Sequence, residues 1–401
     1  MTHTEEILGR WNAALMDNYG TPPVALVSGS GAEVVDADGK RYVDLLAGLA
    51  VNILGHAHPK VVEAVTRQIS TLGHVSNLYV AEPTVRLAER LVDLVGVPGT
   101  RVFFCNSGAE ANEAAIKIAR RTGRPRMIAA ANGFHGRTMG SLSLTGQEGK
   151  RTPFVPMLES VDFVPYGDGD ALRAALQDGV AQGSPVGAVF LEPIQGEGGV
   201  VVPPAGYLAQ ARAAATEAGA LLVLDEIQTG IARTGSMFAF QQAGVVPDVF
   251  TLAKGLGGGL PIGATVAVGE HGAALTPGQH GTTFGGNPVS AAAANAVLDV
   301  IESEDLIDRA AALGKHIATS IEALGHPLVK GVRGQGMLLG VLLTEARAKR
   351  VEAAARSAGY LLNAAQPDLI RLAPPLVLTD AQADRLIADL PEILTAATQE
   401  T

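Results

Sequence analysis

The sequence has one cysteine, Cys105, among its 401 residues, which excludes an intrachain disulfide and any multi-cysteine zinc site. Aromatic residues make up only 4%, too few for a stacking platform that holds single-stranded nucleic acid. There is no basic excess. With 30 Lys and Arg against 40 Asp and Glu, the formal charge is −10, the opposite of what a polyphosphate partner selects. No apolar run reaches the ~18 residues of a membrane span. Met1–Arg10 carries Glu5 and Glu6 with no apolar stretch behind a basic one, so no secretory leader is expected. Neither a repeat of about 20–50 residues nor a low-complexity tract is evident. The expectation is a cytoplasmic, soluble protein whose partners are neither nucleic acid nor membrane.

What is abundant is apolar residues, 47% of the chain, and glycine, 48 residues without a collagen period. Together they imply a sizeable core joined by many tight turns. Short apolar runs at 101–104, 126–130, 161–164, 186–191, 220–224, 249–252 and 264–268 read as strands. Ala- and Leu-rich stretches with helical spacing lie between several of them, at 111–121, 171–177 and 207–218. Such alternation predicts an α/β fold with a largely parallel sheet covered on both faces. Ligands in such folds sit beyond the carboxyl ends of the strands. A long Ala-rich helix from about Pro288 leads into mixed short elements and a helical tail near Ala381–Thr398. The expected division is a segment 1–60 joining a small domain, a large domain 61–288, and a small α+β domain 289–401.

Two acid and base signals stand out. Asp225 follows the apolar run Leu221–Leu224, where an unpartnered buried carboxylate would be costly; from this segment alone an ordinary helix cap after a strand is the plainer reading. Lys254 lies between an apolar strand and Gly255, Gly257, Gly258 and Gly259; an exposed loop lysine is the plainer alternative. Taken together, both fall at carboxyl ends of adjacent strands. A pyridoxal phosphate (PLP) enzyme needs that pair, an amine to bond the cofactor and an acid facing its ring nitrogen. A third stretch, Asn106-Ser107-Gly108-Ala109-Glu110, leads from a strand into a helix whose free N–H groups could hold a phosphate.

Five stretches, Asn106–Glu113, Glu192–Gly198, Leu224–Gly230, Ala253–Gly257 and Thr282–Pro288, resemble the class III, ω-amino aminotransferases in order and spacing. The likeness runs from about residue 20 to the C-terminus. It implies the PLP fold type I, aspartate aminotransferase-like: a large domain with a mainly parallel sheet plus a smaller α+β domain. It implies PLP as cofactor and a homodimer with shared active sites. Lys254 matches the Schiff-base lysine, Asp225 the partner of the ring nitrogen, and Gln228 the residue near the phenolic oxygen. Ser107, Gly108 and Ala109 match the phosphate cradle. Phe134 matches the aromatic stacked on the ring; by itself it would read as a core phenylalanine. Thr283 matches a phosphate ligand from the neighbouring subunit, and Thr282 a substrate contact from the same loop.

The resemblance also assigns the substrate groups, each of which would otherwise read as a solvated surface charge. Arg137 resembles a clamp for the distal carboxylate, Arg371 a clamp for the α-carboxylate of glutamate or 2-oxoglutarate, and Glu197 a gate that pairs with Arg371 when no dicarboxylate is present. Within the class the sequence is most similar to the acetylornithine aminotransferases of arginine biosynthesis, which implies N-acetylornithine and 2-oxoglutarate as substrates. Succinyldiaminopimelate, succinylornithine, ornithine and 4-aminobutyrate aminotransferases are the alternatives. Leu49 is apolar where ornithine aminotransferases carry a tyrosine, which suits an uncharged acyl group. His56 and His58 have ligand spacing but no companion motif, so they read as a turn before Pro59 and no metal is expected. The arginines 120, 121, 124 and 126 read as complements to the dipole of the helix ending at Gly123.

Overall fold

The computed structural model describes residues 2–399. Three strands open the chain: β1 (Leu26–Ser30), β2 (Glu33–Asp36) and β3 (Arg41–Asp44). The large sheet follows with β4 (Arg101–Cys105), β5 (Arg126–Ala130), β6 (Val161–Val164), β7 (Val186–Leu191), β8 (Leu221–Asp225), β9 (Val249–Leu252) and β10 (Gly263–Ala267). The C-terminal part supplies β11 (Val329–Gln335), β12 (Leu338–Leu343), β13 (Tyr360–Leu361), β14 (Asn363–Gln366) and β15 (Leu369–Leu372).

The large sheet has seven strands in the order β4-β10-β9-β8-β7-β5-β6. Every residue of β7 and β8 is buried, as expected for strands with helices on both faces. From β5 through β9 each neighbouring pair is parallel. The exception is β10, antiparallel to both β9 and β4. Its connection from β9, residues 253–262, is too short for a parallel crossover, which needs about a dozen residues or more. That short return brings the Lys254 loop back across the carboxyl end of the sheet.

A second, antiparallel sheet has the order β11-β12-β15-β14, with helices Leu306–Ala323 and Ala348–Ser357 against it and Asp380–Thr398 packed on those two helices. The N-terminal meander joins this part of the chain: β3 pairs in parallel with β13 through Tyr42-Val43-Asp44 neighbours, Tyr360 opposite Val43 and Leu361 opposite Asp44. After β3 the backbone makes a left-handed turn at Ala47, Leu49 and Ala50, with φ of 51°, 66° and 64°, a conformation that costs a side-chain-bearing residue roughly 1–2 kcal/mol. Asp44 Oδ1 holds the entry to this turn by accepting the N–H groups of Leu46 and Ala47 at 3.0 and 2.8 Å. The turn delivers Val51 to the central cavity.

Within the basic cluster, Arg120 stands in the last turn of the helix Gly108–Arg120, as expected, whereas Arg124 and Arg126 have other uses. Arg124 donates to the carbonyls of Ala218 and Gly219 at 3.0 and 2.7 Å, so it caps the helix Tyr207–Ala218 rather than its own. Arg126 pairs with Asp162 at 2.5 Å. No helix among the described residues is long and apolar enough to cross a membrane.

Candidate active site

The site begins with the helix Gly108–Arg120, which starts directly after β4. Ser107 caps it, its hydroxyl accepting the Glu110 N–H at 3.2 Å, while Glu110 Oε2 accepts the Asn106 N–H at 2.7 Å. That reciprocal cap leaves the N–H groups of Gly108 and Ala109 for a ligand, at the positive end of the helix dipole. A Cβ at Gly108 would lie 2.6 Å from Ile227 Cδ1, so glycine is what lets the two segments close around the cavity.

A cavity of about 440 Å³ sits at this helix start, beyond the carboxyl ends of the strands. Ser107, Gly108, Ala109, Phe134, Arg137, Asp225, Gln228 and Lys254 all line it. The strand pleat decides between the two adjacent acids. Asp225 faces the cavity, whereas Glu226 turns into the protein and accepts the Phe240 N–H at 2.8 Å.

Asp225 is held by three donors. Its Oδ2 accepts Asn112 Nδ2 and His135 Nδ1, each at 2.8 Å, and its Oδ1 accepts the Ile227 N–H at 3.1 Å. Together the three donors fix the orientation of the carboxylate. Asn112 is fixed in turn by Thr251, whose hydroxyl donates to Asn112 Oδ1 at 3.0 Å. Sequence reasoning gave no role to Asn112 or His135. The signal for Asn112 was present, a polar residue one turn into a helix otherwise filled by Ala111, Ala114 and Ala115. For His135 the chain gave none, since its partner is 90 residues away.

Lys254 has a left-handed backbone, φ 42°, the sort of local strain that persists where surrounding structure over-determines it. Its ammonium is enclosed by protein while facing the cavity. Burial pushes it down to about 8, and the Arg371 charge adds to the effect against the opposing pull of Glu197, Asp225 and Glu192. Glu192, another cavity residue, is driven well above the usual carboxylate range by burial and by the Asp225 charge, with Lys254 opposing.

Behind the cavity residue Gln228, Arg371 Nη1 pairs with Glu197 Oε1 at 2.5 Å and also donates to Gln228 Oε1 at 3.2 Å. Its Nη2 donates to Asn363 Oδ1 at 2.9 Å. Burial would raise the Glu197 carboxyl, but the charge and hydrogen bond of Arg371, helped by Lys254 and Lys150, hold it below its ordinary value.

Besides Glu197 and Arg371, which reach the cavity through Gln228, three expected residues stand outside its lining. Thr283 is exposed, and Thr282 accepts from Asn106 Nδ2 at 3.3 Å without lining the cavity. Leu49 also stands outside the cavity lining, 45% exposed, and Val51 supplies the apolar wall instead. A left-handed turn places those two side chains differently from the extended segment that sequence spacing suggests. His56 is engaged by Asp44, Nε2 to Oδ2 at 2.8 Å.

The residues present fit pyridoxal phosphate. An enclosed amine, a fixed carboxylate and a helix start with free N–H groups surround a space of cofactor size, and Phe134 and Ile227 give it apolar walls. Comparisons with known proteins agree. A protein named acetylornithine aminotransferase from Mycobacterium tuberculosis is 63% identical over 397 residues, 99% of this chain and 98% of that protein. The crystal structure of acetylornithine aminotransferase from Elizabethkingia anophelis matches with a TM-score of 0.86 at 33% identity, covering 98% of this chain and 100% of that one. The ornithine aminotransferase of Toxoplasma gondii, solved with partial occupancy of PLP at its active site, matches with a TM-score of 0.93 at 33% identity, covering 99% and 95%. Since the class III aminotransferase profile also matches residues 15–394, the chain belongs to the class III aminotransferases and is a PLP-dependent transaminase.

Proposed function

We propose that this enzyme moves the δ-amino group of N-acetyl-L-ornithine to 2-oxoglutarate, giving N-acetylglutamate 5-semialdehyde and glutamate. The observation that carries this reading is the Glu197–Arg371 pair, which reaches the Lys254 cavity through the lining residue Gln228. One pocket must accept two unlike reacting ends, one bearing a carboxylate and one without. An arginine already neutralised suits the amine end of acetylornithine; the same arginine, released, can take the α-carboxylate of glutamate in a bidentate fork. The full-length similarity to proteins named acetylornithine aminotransferase supports this choice of amine.

The roles follow from chemistry at each position. Bound PLP supplies an electron sink for the pair left when the amine-bearing carbon loses its proton. Lys254 Nζ bonds the cofactor and afterwards carries that proton, and its lowered basicity suits a proton carrier near neutral pH. The Asp225 carboxylate would face the ring nitrogen and favour its cationic form. Ser107, Gly108 and Ala109 would hold the phosphate, Phe134 would cover a face of the ring, and Gln228 would lie near the phenolic oxygen. Arg137 takes the distal carboxylate. With purified enzyme and 2-oxoglutarate, kcat/KM for N-acetylornithine is expected to exceed that for ornithine, N-succinylornithine, N-succinyldiaminopimelate and 4-aminobutyrate by about tenfold or more each, since discrimination is differential transition-state binding. A higher value for any of the others reassigns the substrate.

Thr282 and Thr283 complete the neighbouring subunit's site in this reading. Support comes from the apolar surface near that loop: Phe284 is 60% exposed and Leu78, Tyr79 and Val80 between 74% and 84%, the kind of surface a partner covers. Light scattering is expected to give about 82 kDa, twice the 41.2 kDa chain; a mass near one chain at assay concentration excludes the shared site.

A further inference from the structure

A second cavity, about 530 Å³, opens beside the first and is lined by Gln147, Glu148, Lys150, Arg333, Gln366 and Asp368 among others. Its wall includes Gly198, the residue after Glu197, and Gln366 Nε2 donates to the Glu197 carbonyl at 2.8 Å. The second cavity therefore borders the segment that carries the gate, and the gate reaches the first through Arg371 and Gln228.

Lys150 stands between them. Its Nζ is 4.8 Å from the centre of the Phe134 ring, and Phe134 lines the cofactor cavity. The guanidinium carbon of Arg137 lies 5.7 Å from the same ring centre. Two cations thus converge on one aromatic side chain at the rim of the site, an arrangement that costs mutual repulsion unless an anion joins them.

Neither cation has a carboxylate to itself. Lys150 donates to the uncharged Gln147 Oε1, and among the described residues it forms no ion pair; nor does Arg137. The acid that most favours the Lys150 charge, Glu197, is already taken by Arg371. Partial burial and the charges of Arg137 and Arg371 disfavour the Lys150 ammonium, while Glu197 and Glu192 favour it. A half-buried cation without a counter-ion is what a site for an anionic ligand group looks like when its field is built in advance.

We infer that Lys150 is a specificity-determining residue: its ammonium, together with the Arg137 guanidinium, seats the substrate carboxylate farthest from the reacting carbon against the flank of Phe134. In this arrangement Arg371 reads the carboxylate next to the reacting carbon when there is one, and the Arg137–Lys150 pair reads the distal carboxylate common to both substrates. The inference rests on the transaminase reading above, with substrates that carry such a distal carboxylate. A role confined to packing, with the lysine stem merely covering Phe134, makes a different prediction, because stability would change and carboxylate affinity would not.

The test uses the holoenzyme and its Lys150→Met, Lys150→Gln and Lys150→Arg variants. Glutarate, a dicarboxylate with no reacting amine or ketone, is titrated by calorimetry, and steady-state constants are measured for acetylornithine, 2-oxoglutarate and N-acetylputrescine, the amine that lacks the carboxylate. Lys150→Met and Lys150→Gln are expected to weaken glutarate by about 10- to 100-fold, the loss of one charge-assisted hydrogen bond. KM for both carboxylate substrates should rise by a similar factor with a smaller change in kcat, and the preference for acetylornithine over N-acetylputrescine should fall in proportion. Lys150→Arg should restore most of the affinity. Glutarate affinity within twofold of the parent in both uncharged variants overturns the inference, as does an unchanged preference between the two amines. If the parent enzyme fails to turn over acetylornithine while glutarate binding still depends on Lys150, the substrate reading falls and this inference stands.

Discussion

Replacing Lys254 by alanine is expected to abolish the visible absorption of lysine-bound cofactor and to lower transamination by about 10⁴-fold or more, because both the bond to the cofactor and the proton carrier are lost. The chain prepares this lysine in two ways. Enclosure and the nearby Arg371 push its basicity down to about 8, so at pH 7 about one side chain in ten is the neutral amine, against fewer than about one in a thousand for a lysine with an ordinary value near 10.4. Uptake of PLP by the cofactor-free protein, followed by absorbance, should therefore quicken as pH rises from 6 and level off above about 8. The same shift has a stability consequence with a definite sign. Between about 8 and the unfolded value near 10.4 the unfolded chain keeps a proton that the folded one has lost. The cofactor-free protein should thus gain stability from this group as pH rises through that window. A retained cofactor band in Lys254→Ala, or an uptake rate flat across pH 6 to 9, would contradict the assignment.

The second large effect is expected at Asp225. In Asp225→Asn the shape is nearly kept and the charge is lost, and the hydrogen-bond pattern turns against the substitution. Oδ2 now accepts from Asn112 and His135, and Oδ1 from the Ile227 backbone. An asparagine amide must place an NH₂ where one of these donors already points, and no rotation of the amide avoids a donor meeting a donor. Loss of the charge opposite the ring nitrogen is expected to lower the rate of the half-reaction with glutamate by about 10²- to 10³-fold, roughly 2.7–4 kcal/mol of barrier. Stopped-flow absorbance of that half-reaction measures it. Asp225→Glu keeps the charge and should retain part of the rate if its longer arm can still reach. An Asp225→Asn enzyme within tenfold of the parent would mean that the carboxylate does not face the cofactor ring.

These two residues also mark how far the sequence could be read. Asp225 and Lys254 were legible because each interrupts a local pattern, an acid closing an apolar strand and a lysine opening a glycine run. The strands around them were legible for the same reason: an all-apolar run such as Val186–Leu191 can only be buried on both faces. The direction of β10 was written in a connection length, although apolar content alone suggested one more parallel strand. Asn112 and His135 were not legible as partners of Asp225, because a hydrogen bond across 113 or 90 positions leaves no periodicity in the chain.

The amino-acid sequence by itself determined which segments become strands and helices, that a phosphate-sized helix start follows β4, and which chemistry-bearing residues stand at strand ends. Local free energy decides those features, through burial of apolar runs, capping at Ser107 and the freedom of glycine. Only the tertiary structure decided that Asp225 rather than Glu226 faces the cavity, that Glu197 closes on Arg371, that Val51 takes the place expected of Leu49, and that Lys150 joins Arg137 at Phe134. Each of these depends on where two distant pieces of backbone meet, and that is set by the packing of whole elements rather than by any short stretch of chain.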